Sequence, residues 1–342
     1  MATIKTNSLN LEKAEYKGGK STLCVGCGHD SITNHIVSAY FQSNINPYDI
    51  AKLSGIGCSS KTPAYFMSRS HGFNSLHGRM APLSTGVHLA NRDLKLIGIS
   101  GDGDTASIGL GGFAHLLRRN VPMVYLCYNN GVYGLTKGQF SATAEEEAIL
   151  KDGSENPFHD IDLCSMAIGL GSSFVARSFS GDAKQLVPLI QAAIAHKGTA
   201  FIDIISPCIT FNNHEGSTKS FVAVKENRVN LQELGFIEPS SEILVDYEEG
   251  NREEVEMPDG SHIVLKKLDS RKHSVNNKMQ ALQIIEDSHQ KKEILTGLFY
   301  INEKSENISE RLHVSPTSLS KLSIDQLQPS NEKLDSALKD FR

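Results

Sequence analysis

Residues 94–100 (LKLIGIS), 121–128 (VPMVYLCY) and 200–206 (AFIDIIS) are strand-length runs rich in apolar and β-branched side chains, and a shorter run of the same kind covers 49–54. Between them, apolar positions recur at helical spacing over 29–41, 82–91 and 183–196, with Pro82 suited to a first helical turn. The stretch 105–119 is glycine-rich but helix-length, and predicts one more helix. Strands alternating with helices predict an α/β domain, a mostly parallel sheet flanked by helices. Beyond about residue 227 the texture changes. Residues 248–256 are acidic, and Met257-Pro258-Asp259-Gly260 is a turn signal between two β-like runs, so a hairpin is expected. Residues 278–299 then have helical spacing, and the chain from 305 onward is polar. The expected organisation is an N-terminal arm (1–20), a main domain (21–226) and a C-terminal extension (227–342) of hairpin, helix and polar tail that docks on or covers the domain.

Composition narrows the function classes. A chain of 342 residues with 39% hydrophobic content can bury a sizeable core, and its net charge of −5 gives no support to nucleic acid or an anionic membrane as the main partner. No apolar run approaches the roughly 20 residues needed to span a bilayer. Residues 1–20 are polar and lack an apolar core, so no secretory signal and a cytoplasmic location are expected. Disulfides are rare there. Cys24, Cys27, Cys58, Cys127, Cys164 and Cys208 therefore point to metal binding wherever they cluster.

The strongest chemical signal is an order of parts: a strand, then Gly101-Asp102-Gly103-Asp104, a helix, and a second strand ending in Asn129-Asn130. A glycine turn at a helix N-terminus presents backbone N–H groups to phosphate. A diphosphate keeps its negative charge at neutral pH and needs a divalent cation, and magnesium wants oxygen ligands in octahedral array. Asp102 can give a carboxylate, Asn130 an amide oxygen and Val132 a backbone carbonyl. In adjacent parallel strands these ends meet at the carboxyl edge, where such sheets bind ligands. Glycine–aspartate turns are common in any fold, so the pairing with Asn129-Asn130 carries the signal. A dinucleotide site competes for the glycines, but no G-x-G-x-x-G with a ribose-binding acid stands in the right place. The pairing resembles the thiamine diphosphate motif of decarboxylases, transketolases and 2-oxoacid oxidoreductases.

The cysteines read less cleanly. Cys24-Val25-Gly26-Cys27 alone suits half a zinc site, a redox pair or chance. Cys58 and Cys208 each follow a strand-like segment, so these thiols can converge at the cofactor edge. A four-iron cluster and a zinc ion are both satisfied by four thiolates, and spacing does not choose between them. Cys127, in an apolar strand, and Cys164, in a helical stretch, read as small buried hydrophobes.

Taken in order, CVGCG, SGIGCSSKTP, LHGR, GDGD, NNGVYGLTKGQ and SPC resemble the β subunits of 2-oxoacid:ferredoxin oxidoreductases over residues 24–208. The resemblance implies a thiamine diphosphate-binding fold, with Cys24, Cys27, Cys58 and Cys208 holding a [4Fe-4S] cluster. It implies Asp102, Asn130 and Val132 as Mg2+ ligands, a cofactor-contacting loop of Ile56, Gly57, Cys58 and Ser59, and a contact from His77. Gly103, Asp104, Gly134 and Leu135 match diphosphate and thiazolium contacts. Val25 stands where many relatives have proline.

The implied activity is thiamine-dependent oxidative decarboxylation of a 2-oxoacid to an acyl-coenzyme A and carbon dioxide, or the reverse, with electrons leaving to ferredoxin or flavodoxin. The pyrimidine-binding half of the site must then come from an α subunit, because about 210 residues of catalytic domain leave no room for it. SGIGCSSKTP and GLTKGQ look more like the 2-oxoglutarate type than the pyruvate type, and Lys137 is the expected partner of a substrate carboxylate. A non-redox thiamine enzyme subunit and a non-catalytic metal-binding electron-transfer subunit are the rival readings. The first carries both domains in one longer chain. Retention of Asp102, Asn130 and His77 together speaks against the second.

Overall fold

The fold is that of a computed structural model, which describes residues 6–134, 136, 138–146, 148–149, 154–208, 243–256, 262–317, 321–339 and 341. Eleven strands lie among them: β1 (Ile50–Ser54), β2 (His71–Asn74), β3 (Lys95–Gly101), β4 (Met123–Asn129), β5 (Val132–Tyr133), β6 (Gln139–Phe140), β7 (Phe174–Phe179), β8 (Thr199–Ile205), β9 (Arg252–Glu256), β10 (His262–Lys267) and β11 (Ile294–Ile301). The main helices are α1 (Gly28–Gln42), α2 (Met80–Ala90), α3 (Leu110–Arg119), α4 (Leu163–Gly169), α5 (Ala183–Ala195) and α6 (Lys278–Gln290). Three shorter ones, α7 (Ile308–Arg311), α8 (Ile324–Leu327) and α9 (Asn331–Lys339), follow.

Nine strands form one sheet in the order β2-β1-β3-β4-β8-β7-β11-β10-β9. The first six are parallel, as the alternation of strands and helices predicts. Every residue of β4 and β8 is buried, because helices cover both faces. Along β4 the pleat still sorts the side chains. Met123, Tyr125 and Cys127 join the core under α2, α3, α4 and α6. Val124, Leu126 and Tyr128 join the core under α1 and α5. Cys127 and Cys164 are fully buried among apolar neighbours, as small hydrophobes.

Three elements differ from the sequence reading. The expected helix over 105–119 is two pieces: a π-helical turn, Gly103–Ile108, and then α3 after a break at Gly109. Such wide turns occur mostly at functional sites. A Cβ on Gly109 would stand 2.5 Å from the Asp104 carbonyl oxygen and 3.0 Å from that of Gly78, so the break is where the chain packs against the neighbouring loop. The helical spacing over 278–299 holds only to Gln290. Ile294–Ile301 is β11, which pairs antiparallel with β7 and parallel with β10. The expected hairpin is present as antiparallel β9 and β10, its turn lying outside the described residues. The C-terminal strands thus widen the sheet as well as cover it. At the other end Tyr16 is fully buried and donates to the Ile45 carbonyl at 2.8 Å, pinning the N-terminal arm. No described helix is long and apolar enough to cross a membrane.

Candidate active site

The carboxyl ends of β1, β3, β4 and β8 lie side by side, with Ser54 opposite Ile99, Gly101 opposite Tyr128 and Asn129 opposite Ile205. The chain leaves them through Gly55, Asp102, Asn130 and Ser206. A cleft of about 100 Å³ opens there, lined by Ile56, Gly57, Cys58, Ser59, His77, Asp102, Gly103, Asp104, Asn130, Val132 and Gly134 among others. All eleven are motif residues to which the sequence gave defined roles, and Gly57 turns there at φ +120°. A larger cavity, about 420 Å³, lies at the opposite, amino edge of the sheet beside Lys95 and Met123 and holds none of them.

The two aspartates of the turn face different ways. Asp102 is buried, and Ser141 Oγ and Thr143 Oγ1 (2.8 Å) donate to its Oδ2. Among the described residues its Oδ1 accepts only from the Asn130 N–H, at 3.3 Å. Asn130 Oδ1 accepts from the Val132 N–H at 3.1 Å, which closes the turn after β4 and brings Asn130 and Val132 to the same edge. Asp104, also buried, ties loops together: its Oδ1 accepts from Gly78 N at 2.7 Å and pairs with His77 Nδ1, and its Oδ2 accepts from Ser100 Oγ at 2.6 Å. A Cβ on Gly103 would stand 2.5 Å from the Tyr133 ring, whose hydroxyl donates to the Gly103 carbonyl at 3.0 Å.

Four thiols gather on the α1 side of this edge. Cys27 ends the turn that starts α1, Cys58 precedes a 3₁₀ turn, and Cys208 follows β8. Burial pushes the Cys27 thiol up to about 12, against the help of the His29 N–H, and the negative fields of Cys208 and Cys24 push it further. Cys58 is raised by burial and by Cys208 and Cys24, with Lys61 opposing. Each of the two thus feels both Cys24 and Cys208. Among the described residues no three His, Cys, Asp or Glu side chains stand close enough to hold a single metal ion. His29 lines the cleft together with Cys58. It is buried, its Nδ1 is 2.7 Å from Ser206 Oγ, its ring edge meets Tyr128 at 5.0 Å, and burial lowers it to about 4.

Leu135 and Lys137 lie outside the described residues; Thr136 between them lines the cleft. His71 is exposed on β2, away from the cleft lining. Sequence reasoning missed Ser141, Thr143, His29, Tyr133 and Gly55. Only the short polar run after Gln139-Phe140 hinted at the first two.

Residues 55–204 match the family described as thiamine pyrophosphate enzyme, C-terminal TPP binding domain. The 2-oxoacid:ferredoxin oxidoreductase subunit beta of a Sulfolobus species is 42% identical over 191 residues, 56% of this chain and 63% of that protein. The chain thus covers less than two thirds of that relative's length. The 2-oxoglutarate synthase subunit KorB of Methanocaldococcus jannaschii is 38% identical over 216 residues, 61% of this chain and 78% of that protein. Among solved structures, a 2-oxoglutarate:ferredoxin oxidoreductase from Magnetococcus marinus with 2-oxoglutarate, coenzyme A and succinyl-CoA bound matches with a TM-score of 0.73 and 26% identity, over 98% of this chain and 99% of that one. With its motif residues gathered at one edge of a thiamine diphosphate-type sheet, the chain belongs to the β subunits of the 2-oxoacid:ferredoxin oxidoreductases.

Proposed function

We propose that this chain is the catalytic β subunit of a 2-oxoacid:ferredoxin or flavodoxin oxidoreductase acting on 2-oxoglutarate in the cytoplasm. The observation that carries it is Asp102: a buried carboxylate with one oxygen taken by two hydroxyls and the other beside Asn130 at the carboxyl edge. Asp102, the Asn130 side chain and the Val132 carbonyl are hard oxygen donors that suit Mg2+, which completes its shell from phosphate oxygens. An amide and a carbonyl complete the set, so no cluster of acids is needed. Gly103, Asp104, Gly134 and Leu135 are assigned the diphosphate and thiazolium contacts, Gly103 also being the position where the Tyr133 ring leaves no space for a Cβ. Bound there, thiamine diphosphate supplies the group that accepts the electrons released when the 2-oxoacid loses carbon dioxide.

The thiols suit a [4Fe-4S] cluster better than a lone ion. A four-iron cube is a body several ångströms across, so its thiolates stand further apart than ligands of one metal. Thiols whose charges raise one another do not ionise together unless a cationic centre compensates them. Cys24, Cys27, Cys58 and Cys208 would hold the cluster, and Cys58, His29 and Tyr128 also line the cleft. The Tyr128 hydroxyl is buried near Thr62 and on the side of Cys27.

A cleft of about 100 Å³ falls below the several hundred Å³ typical of cofactor pockets, so it suits the diphosphate end alone. The rest of the wall is assigned to an α subunit, and coenzyme A to the assembled site. The Magnetococcus protein, which holds 2-oxoglutarate, supports that substrate over pyruvate. The test is Asp102→Ala: calorimetry should find thiamine diphosphate binding lost in the presence of Mg2+, and retained tight binding would overturn the assignment.

A further inference from the structure

The polar groups behind Asp102 do not stop at the hydroxyls that hold it. Thr143 Oγ1, 2.8 Å from Asp102 Oδ2, is also 3.0 Å from Asn129 Oδ1 and 2.9 Å from Ser141 Oγ. Asn129 Nδ2 donates to Asp203 Oδ1 at 3.1 Å. Asp203 Oδ2 accepts from Arg177 Nε at 2.8 Å, and the far side of the same guanidinium pairs with Asp162. Asp203 is fully buried, and Arg177 is 5% exposed. The desolvation of an ion pair this deep can exceed its Coulombic gain, so its presence is weak evidence of a contribution to stability alone.

Each link fixes the next. Arg177 holds Asp203 in one rotamer between β7 and β8. Asp203 accepts, so Asn129 must present its Nδ2 to it and its Oδ1 to Thr143. The single Thr143 hydroxyl proton is shared between Asn129 Oδ1 and Asp102 Oδ2, a three-centre bond that sets the hydroxyl between the two. That carboxylate oxygen is committed to hydroxyls, and the other is left turned toward Asn130 and the cleft. Magnesium tolerates little departure from octahedral geometry, so a carboxylate free to rotate would hold it poorly.

We propose that Thr143 and Asn129 are positioning residues for the cation-binding carboxylate Asp102, anchored by the buried Arg177–Asp203 pair. This rests on the reading that Asp102 binds the divalent cation. Outer partners of metal ligands typically change affinity by 10- to 100-fold.

The test is a titration of the full chain with Mn2+ in the presence of thiamine diphosphate, reading free Mn2+ by its electron paramagnetic resonance signal. Thermal midpoints are followed alongside. Thr143→Val and Asn129→Leu should each weaken Mn2+ binding about tenfold. Thr143→Ser, which keeps the hydroxyl, should stay within about twofold of the parent. The double variant should lose no more than the worse single variant, because Thr143 passes on the orientation that Asn129 sets. Thermal midpoints that fall while Mn2+ affinity holds would mean a structural role only, and would overturn the proposal. So would strictly additive losses. Asp102→Asn separates the two readings. If it binds Mn2+ like the parent, the cation assignment itself has failed; if it loses Mn2+ while Thr143→Val keeps it, only the positioning role has.

Discussion

Gly55→Ala tests how tightly the cleft is built. Gly55 has no unusual torsion, so alanine is acceptable to the backbone and the cost is steric alone. Its Cβ would stand 1.6 Å from Asp104 Oδ2, 2.5 Å from Cγ and 2.9 Å from Oδ1. The carboxylate would have to retreat by about 1.5–2 Å to reach ordinary contact. It is not a loose end, since His77, Gly78 N (2.7 Å) and Ser100 Oγ (2.6 Å) all hold it. A movement of that size breaks at least two of these bonds inside a buried site. Each lost bond to a buried charged group costs about 1.5–3 kcal/mol, so the expected loss is about 3–6 kcal/mol. Against a total of about 5–15 kcal/mol that is a large fraction, short of certain unfolding. Urea denaturation of the purified chain reads it directly as a shift in midpoint. Asp104→Ala in the same chain removes all three atoms of the clash, so Gly55→Ala should cost about 2 kcal/mol less in that background. A Gly55→Ala chain within about 0.5 kcal/mol of the parent would refute the reasoning, as would equal costs in the two backgrounds.

Three further outcomes are expected. Serine at Cys24, Cys27, Cys58 or Cys208 should abolish absorbance near 400 nm and lower the iron content, expected at about four per chain in the parent, while serine at Cys127 or Cys164 should not. Lys137→Ala should lower kcat/KM about 10- to 150-fold in the assembled enzyme, and more for 2-oxoglutarate than for pyruvate if the lysine reads the distal carboxylate; steady-state kinetics on both substrates decides. His88, buried and bonded through Nε2 to Ser309 Oγ at 2.8 Å, is lowered to about 4 by burial and, secondarily, by Arg92. The unfolded chain takes up its proton below about pH 6.5 and the folded chain does not until about pH 4, so stability falls as pH drops through that window, by about 3 kcal/mol in full. His88→Gln should flatten that part of the urea-midpoint profile, and parallel profiles would sink the idea.

What was legible in the sequence follows from burial. β3, β4 and β8 are covered on both faces, so they must be apolar throughout, and their polar ends, Gly101-Asp102, Asn129-Asn130 and Ser206, stand out by contrast. β7 is equally buried but was not read as a strand, because Arg177 sits in its middle. That charge is tolerated only through Asp203 and Asp162, which are 26 and 15 residues away along the chain. β11 was read as helix because Ile294, Leu295 and Leu298 extend the apolar spacing of α6 without a proline. The switch comes at Lys292, at φ 55°, a torsion that spacing does not encode.

The site shows the same division between what runs along a chain and what meets across it. Asp102 and Asp104 are two residues apart where the π-helical turn begins, so their side chains leave it on nearly opposite sides. One identical carboxylate therefore faces Asn130 and the other faces His77 and Gly78. The motif names both residues, but it does not divide their labour. Asp104 lines the cleft, yet both of its oxygens are taken by donors of the protein. Asp102 keeps one oxygen with a single long contact. Asp102 thus carries the more lightly held oxygen of the two, which is why the proposed cation is assigned to it and the tying of loops to Asp104.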